Sequence, residues 1–568
     1  MPTDTVIQDS ELYSRGSGVF ANLNDRYSRN WKQLDSQYDQ WKAVYKDVAD
    51  YIVLGRGRFI DAGELPNQRT KAASMVINNT ATDALHMLGA GLHGGLSSPA
   101  RPWFQLQFVD EDMNGFSAYR GWLDDCEKRM YAAFKRSNFY TVIHNVYEEI
   151  GGFGTGAMLL DDDPRYGLLF HYYTVGDYRF SVGADGRCHC FYRRFKMQAT
   201  QVEQFFGREA CSDKVKRLLE TNPYEWVEII HCIEPNASYN QEKVDSFPIS
   251  SVYYETKEKE KRLSERGYRE MPVTTPRWQV LSNEAYGWGP GLESLGIAKA
   301  IQRMELQAMM ASDKSLEPPL ALPASMADRM LDLSPGGKNI YDEANGKIQP
   351  LVQIDPSALQ WYRASIAEIE GKIRRNFHNE LFLMIAQEDP AKMTATEVMA
   401  RKEEKMLMVG PIIERLEYEF LSPIVERVFN IMARSGQLPP PPAELQDAEY
   451  KVDFVSLLAQ AQKLISAQGM QSYLGIAERV AAINPGSVTK TDWDKYLEEL
   501  GDTVSLPAKI VRTEDQVAGI RQAEAEQAAQ QQQMMQMAQG VDNVQKLGNT
   551  PTVEGTALAD VQEEVAGG

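Results

Sequence analysis

Residue types able to do chemistry are scattered through the chain, and their spacing decides which could act together. The run GGFGTG, Gly151 to Gly156, has the glycine content of a phosphate-binding loop. A dinucleotide fingerprint needs G-x-G-x-x-G after a strand and opening a helix, because the pyrophosphate rests on the helix N-terminus. Here the run follows a helical pattern and opens the strand-like AMLL, so a tight helix-to-strand turn is expected. A Walker A sequence does not occur: Gly337 and Lys338 precede Asn339, and Asp332 stands where the first glycine belongs. ATP-driven work must therefore come from another polypeptide. Cys188, His189, Cys190, Cys211, His231 and Cys232 offer zinc-ligand types. Their spacing does not suit a metal, since C-H-C alternates across the faces of a strand and no C-x-x-C knuckle is present. Buried thiols on strands are the expectation. Asp161, Asp162 and Asp163 before Pro164 form an acidic turn that could hold a cation but reads better as a solvated turn, and His86 and His93 read as packing or capping groups. H-E-x-x-H and G-x-S-x-G are absent, and the seven histidines show no pairing with a nearby nucleophile. No catalytic, cofactor or metal constellation emerges.

The chain around these residues has 568 positions, enough for three or four domains of roughly 100 to 200 residues. Its 43% hydrophobic and 24% charged content is that of a globular protein. Sixty basic against 79 acidic side chains leave a net charge of −19, which argues against a conventional nucleic-acid binder. Five thinly spread cysteines argue against a disulfide framework and for folding in a reducing cytosol. No basic segment with an apolar core opens the sequence, and no run of about 18 apolar residues occurs, so neither export nor membrane spanning is expected.

Apolar spacing predicts a helix over Tyr27 to Leu54, a second from about Ala72 to Gly91, and helices at Asn114 to Ser137 and Thr141 to Ile150. Strands are predicted after the prolines of SSPARPWFQLQF, at Ala157 to Leu160 and at Cys188 to Lys196. SVYYE and TPRWQVL flank KEKEKRLSERG and read as a long solvated hairpin. After residue 290 the pattern becomes long-helical. Leu292 to Ser315 is continuous and stops at Pro318 and Pro319; Ser357 to Ile385 is a second long helix. Between them lie PLALP, GGKNIY and KIQPLV, strand candidates of a small module: a stalk with a foot. A ten-residue loop, Ala386 to Ala395, leads to the capping-box spacing Thr394 to Glu397 and a third helix to about Arg434, with kinks expected at Pro411 and Pro423. The polyproline linker LPPPPAEL, a strand at Tyr450 to Val455 and helices at Leu457 to Ile483 and Thr491 to Leu500 follow. Glu514 to Gln539 has helix formers but weak apolar spacing, leaving helix and coil open; disorder is expected from Gly540. From Glu514 onward nine acids face two bases. The fold class is mainly α with α+β regions.

Three stretches in this order resemble the portal (head-to-tail connector) proteins of short-tailed double-stranded DNA phages. They are RTKAASMVINNTATDALHMLGAGLHGGLSSPARPWFQLQF (69–108), RGYREMPVTTPRWQVLSNEAYGWGPGLESL (266–295) and MTATEVMARKEEKMLMVGPIIERLEYEFLSPIVERVFNIMARSGQLP (393–439). The likeness spans roughly residues 20 to 460. Trp288 departs from it, standing before Gly289 and Pro290 where a basic residue is expected. The resemblance implies a ring of twelve subunits at one capsid vertex, through which DNA is packaged and later ejected. It also implies a wing (1–290), stem helices (291–316 and 356–385), a clip (317–355), a tunnel loop (386–395), a long kinked helix returning to the wing (396–456), a crown (457–512) and an acidic tail (513–568). The clip, with Lys338, Asn339, Tyr341, Asp342 and Glu343, would dock the large terminase subunit and then tail adaptor or nozzle proteins. Capsid and scaffolding protein, and core proteins at the crown, are further implied partners. The implied location is the virion's portal vertex, with host cytoplasm during assembly. A non-enzymatic tail or capsid adaptor without a DNA channel is the alternative.

Size supports a large ring. Helices packed about 10 Å apart in sixes leave a hole of roughly 9 Å, whereas twelve leave roughly 28 Å, enough for a duplex about 20 Å wide. Acidic charge also suits a conduit, because Lys and Arg lining would hold phosphates rather than let them travel. In the tunnel loop, Gln387, Glu388, Asp389 and Lys392 would flank the path. Lys392 could touch phosphate transiently or pair with Asp389 or a neighbouring subunit. Arg374 and Arg375 would face the channel or make intersubunit salt bridges.

Overall fold

A computed structural model describes residues 24–54, 76–110, 117–163, 167–240, 243, 246–256, 258, 261–322, 330–332, 339, 348–351, 355–386, 409–442, 450–455, 473–480, 486, 491–493, 495–497, 500 and 517–531. The chain divides into two compact units: one of residues 1–106, 124–440 and 452–475, the other of 107–123, 441–451 and 476–568.

Helix α1 (Asp25–Tyr51) buries Tyr27, Trp31, Leu34, Tyr38, Tyr45 and Val48, the three- and four-residue spacing that predicted it. Helix α2 (Thr80–Leu96) starts later than the sequence pattern suggests, because residues 76–79 are not helical; residues 72–75 lie outside the described residues. Strand β1 (Phe104–Phe108) and helices α3 (Ser117–Arg136) and α4 (Phe139–Phe153) follow. Trp103 packs flat on Phe139 and on Phe454, at 5.8 and 6.5 Å, seeding an aromatic core with Phe134.

Strands β2 (Ala157–Asp163) and β3 (Gly167–Tyr173) pair antiparallel from Ala157↔Tyr173 to Asp163↔Gly167. Asp161 to Asp163 are therefore ladder positions, not the predicted turn. Strands β4 (Tyr178–Val182) and β5 (Cys188–Gln198) precede α5 (Ala199–Phe206) and α6 (Asp213–Thr221). Strands β6 (Trp226–Pro235), β7 (Ile249–Glu255) and β8 (Ser264–Tyr268) then complete a five-stranded antiparallel meander, β4-β5-β6-β7-β8. The partner of SVYYE is thus SERGY inside the charged run, in the register Tyr253↔Ser264 to Ile249↔Tyr268. TPRWQVL is not that strand. Its neighbour β9 (Val273–Thr274) instead joins β2 in a three-stranded sheet, β3-β2-β9.

Helix α7 (Pro290–Leu316) opens with Gly289 at the N-cap and Pro290 in the first turn, where its missing N–H costs nothing. Two-residue strands β10 (Leu320–Ala321) and β11 (Gln349–Pro350) close the base of the insertion that follows. The second stalk segment is two helices rather than one: α8 (Pro356–Asn376) and α9 (Asn379–Ala386), separated at His378, whose φ is +54°.

The third long helix is described from residue 409, so Thr394 to Glu397 lies outside the described residues. Helix α10 (409–416) continues through Pro411 into a π-helical turn, Glu417–Leu421, and then α11 (Ser422–Arg434). Pro423 has no N–H for the carbonyl four residues back, and the wider i→i+5 turn directly precedes it. Strand β12 (Tyr450–Phe454) comes after the proline linker. Residues 473–480 and 517–531 are helical; the remainder of the predicted 457–483 helix, and everything from 532, lies outside the described residues. Among the described residues no helix is long and apolar enough to cross a membrane.

Candidate functional site

The stalk is an antiparallel helix pair. Ser294 near the start of α7 accepts a hydrogen bond from Asn376 at the end of α8 (3.2 Å), while farther along Tyr362 donates to Gln307 (2.7 Å). Asn78, just before α2, staples the pair: its amide donates to Glu305 of α7 (3.1 Å) and Glu370 of α8 (2.9 Å). Gln302 returns the contact, accepting from the backbone N–H of Ile77 and Asn78 and donating to the Asn78 carbonyl. Away from these bonds, several large apolar side chains of the pair reach water. Leu306, Met309, Met310, Leu316 and Trp361 are all exposed, Trp361 by 71% and Leu316 by 81%.

The root of the stalk is a glycine interlock. Gly154, with φ +79°, ends α4, and a Cβ on it would fall 2.4 Å from the Gly287 carbonyl oxygen. A Cβ on Gly291 would fall 2.2 Å from the Gly152 oxygen. Only hydrogen atoms fit between these backbones, which lets Trp278 donate to the Gly154 carbonyl (2.9 Å) and Gly287 to the Thr155 hydroxyl (2.7 Å). GGFGTG is the expected helix-to-strand turn, and its further role is to receive GWGPG. Tyr286 sits among Tyr38, Trp41 and Tyr45, and Trp288 meets Trp41 edge-on at 6.1 Å. The departure at Trp288 is thus an apolar contact with α1.

A buried ion pair ties this root to the third helix. Arg277 donates through Nη2 (2.7 Å) and Nε (3.0 Å) to Glu419, and also to the carbonyls of Gly186 (2.8 Å) and Glu284 (3.2 Å). Both side chains are nearly inaccessible. Glu419 lies in the π-helical turn, a deviation frequent at functional positions. Sequence inspection missed this pair; the clue was a glutamate flanked by Tyr418 and Phe420 in an otherwise apolar helical stripe.

Of the predicted site residues, Arg374 and Arg375 are exposed on the last turn of α8. Arg374 approaches Glu370 of its own helix (3.6 Å) and lines a cleft of about 310 Å³ with Thr80, Asp83, Met87, Asn379 and Leu383. Lys372, bonded to Glu368 at 2.8 Å, holds that carboxyl below the usual range, and Arg375 adds a smaller pull. Asn339 exchanges two hydrogen bonds with the backbone of Asp332 (2.7 and 2.8 Å). Lys338, Tyr341, Asp342, Glu343, Gln387, Glu388, Asp389 and Lys392 lie outside the described residues.

The cysteine and histidine candidates are dispersed. Cys232 is buried with Tyr27 and Trp31, and Cys190 packs against that cluster, while Cys211 belongs to a separate core with Val202 and Val215. His231 stacks on Tyr253 at 3.8 Å and bonds the Ser251 hydroxyl at 2.9 Å. His86 pairs with Glu148 (2.7 Å). Among the described residues no group of three or more His, Cys, Asp or Glu side chains could hold a metal ion. What the arrangement offers is mechanical: a long helix pair rooted by close backbone contact and a buried clasp.

Residues 24–511 match the model of the bacteriophage head to tail connecting protein family, and the chain belongs to that family. It is 35% identical over 543 residues to a probable portal protein of Bordetella phage BPP-1, covering 94% of this chain and 97% of the relative. It is 31% identical over 544 residues to the portal protein of Salmonella phage epsilon15, with the same coverage. A chain in the virion of a native gene transfer agent particle aligns over 76% of this protein and 96% of its own length, at TM-score 0.36 and 10% identity.

Proposed function

We propose that this chain is a phage portal: twelve copies close into a ring at one capsid vertex, and double-stranded DNA enters and leaves through the ring. The clip region would dock the large terminase subunit during packaging and tail proteins afterwards, while capsid and scaffolding protein hold the outer wing. The role is that of a conduit and docking platform with no catalytic step of its own.

The observation that carries this reading is the exposed apolar surface on the stalk. Leu306, Met309, Met310, Leu316 and Trp361 are exposed on a helix pair of 27 and 21 residues, with Leu306, Met309 and Met310 on one face of α7 by their spacing, and large apolar side chains gathered in water mark an interaction surface. Copies set side by side would bury it and align the stalks around a common axis. The kinship with two portal proteins over 94% of the chain supports the same reading. The net charge of −19 supports it too, since a largely acidic conduit does not trap phosphates.

Purified protein should sediment near twelve times 64.1 kDa and show rings with an open axis in negative stain. A monomer at micromolar concentration, or an assembly closed on its axis, overturns the proposal. Deleting residues 388–392 should leave rings intact and impair packaging or genome retention.

A further inference from the structure

We propose that the α8–α9 joint is a two-state element, bent as seen here and able to straighten into one continuous helix. The sequence is written for the straight form. Leu359, Ile366, Ile369, Ile373, Phe377 and Leu381 keep helical spacing across the joint, and neither glycine nor proline occurs between residues 372 and 386. No glycine or proline forces a break, although Asn376, His378 and Asn379 are weak helix formers.

The break is imposed from outside. His378 adopts φ +54°, a left-handed conformation uncommon for residues with a side chain, although histidine tolerates it better than most. Three tethers hold it there. Its ring lies over Trp278, centroids 5.9 Å apart and 28° from parallel. Asn379, only 3% exposed, faces the carbonyls of Phe377 and Ala84, and with its amide turned so that the nitrogen points to them it donates to both (3.1 and 3.0 Å). Phe382 presses α9 onto α2 at Gly91, where a Cβ would fall 2.3 Å from its ring. Straightening gives up these contacts, relieves the His378 backbone and restores the helical hydrogen bonds interrupted at the joint. Local preference and tertiary contact thus oppose each other, the condition for a bistable element.

This deepens the portal reading and rests on it for its purpose: the segment read as the tunnel loop begins where α9 ends, so the bend would set the position of that segment's root. The conformational claim itself is tested without DNA. Nitroxide labels at Ala367 and Leu383, both exposed, lie about 24 Å apart along a straight helix at 1.5 Å per residue. Pulsed electron paramagnetic resonance on assemblies diluted with unlabelled chains should give one dominant separation in the parent protein, with the straight form a minor population of about 0.1–10%. His378→Ala, which keeps the helix former and removes both stack and left-handed tolerance, should raise the straight population about tenfold or more and increase helical circular dichroism. Asn379→Ala should act in the same direction, and His378→Gly should hold the bend alone. One unchanged separation in all three variants, or a loss of helicity in the two alanine variants, overturns the proposal. A protein that switches but packages no DNA would instead count against the portal reading alone.

Discussion

Arg277 and Glu419 lie 142 residues apart in sequence and meet in a two-pronged ion pair whose side chains are 5% and 6% exposed. The guanidinium fork matches the carboxylate, and further donors reach the Gly186 and Glu284 carbonyls, so four bonds hold the buried charge. Removing Glu419 leaves Arg277 charged with only carbonyl partners, and removing the Arg277 side chain leaves buried Glu419, among the described residues, with only the long ionic contact to Arg415 (3.8 Å). Glu419→Ala or Arg277→Ala should therefore destabilise the fold by about 3–5 kcal/mol in urea denaturation. The Arg277→Met/Glu419→Leu double variant should lose much less than the sum. Additive losses would mean that the two residues act independently.

The glycine interlock leads to a second expectation. Gly291→Ala places a methyl group 2.2 Å from the Gly152 carbonyl oxygen, and backbone cannot swing aside as a side-chain tip can. The stalk root must shift, at a cost of about 1–3 kcal/mol. Gly296→Ala, farther along the same helix where a Cβ meets open space, should be neutral or stabilising. Equal melting temperatures for the two variants would remove the interlock from the account.

Much of this was legible in the sequence because local and global preferences agree. Helix α7 begins two residues before, and ends one residue after, the range its pattern predicts, since Pro290 and the Pro318–Pro319 pair punctuate both ends. The GGFGTG turn was readable because a helix precedes it and a strand follows. Legibility failed where distant contacts rule. The hairpin partner SERGY hides in a charged run because its place depends on β7 beside it, and TPRWQVL looks like a strand while its tryptophan packs on His378. The bend at His378 and the Arg277–Glu419 clasp have only weak local signatures, a histidine and asparagines that tolerate the left-handed region and a glutamate among aromatic neighbours, and each is fixed by residues some 100 or more positions away.

The exposed stalk surface separates folding from assembly. Met309→Asp and Trp361→Asp replace side chains that touch water in the single chain, 52% and 71% exposed, so monomer stability should stay within about 0.5 kcal/mol. Burying a large apolar side chain at an interface contributes about 1.5–3 kcal/mol, a sum forfeited at every seam of a ring. Light scattering after size exclusion should therefore find the double variant monomeric and folded. Intact rings would show that the seam lies elsewhere.

Acid should weaken this fold through its buried His231 and the half-buried His93 and His378. Burial, aided by the positive charge of Arg193, pushes the His231 pKa down to about 3; burial also lowers those of His93 and His378, with His144 adding to the effect at His93. An unfolded histidine binds its proton near pH 6.5. Below that pH the unfolded chain takes up protons that the folded chain refuses, so the stability present above about 6.5 is lost progressively as pH falls toward 3. For one histidine the slope approaches about 1.4 kcal/mol per pH unit in the middle of that window. Carboxylates contribute their own acid losses, so the informative quantity is a difference between proteins. His231→Gln keeps a polar group for the Ser251 hydroxyl and cannot titrate. Between pH 7 and 4.5 its urea midpoint should fall by less than that of the parent chain, and an identical fall would show that the buried imidazole is not what acid attacks.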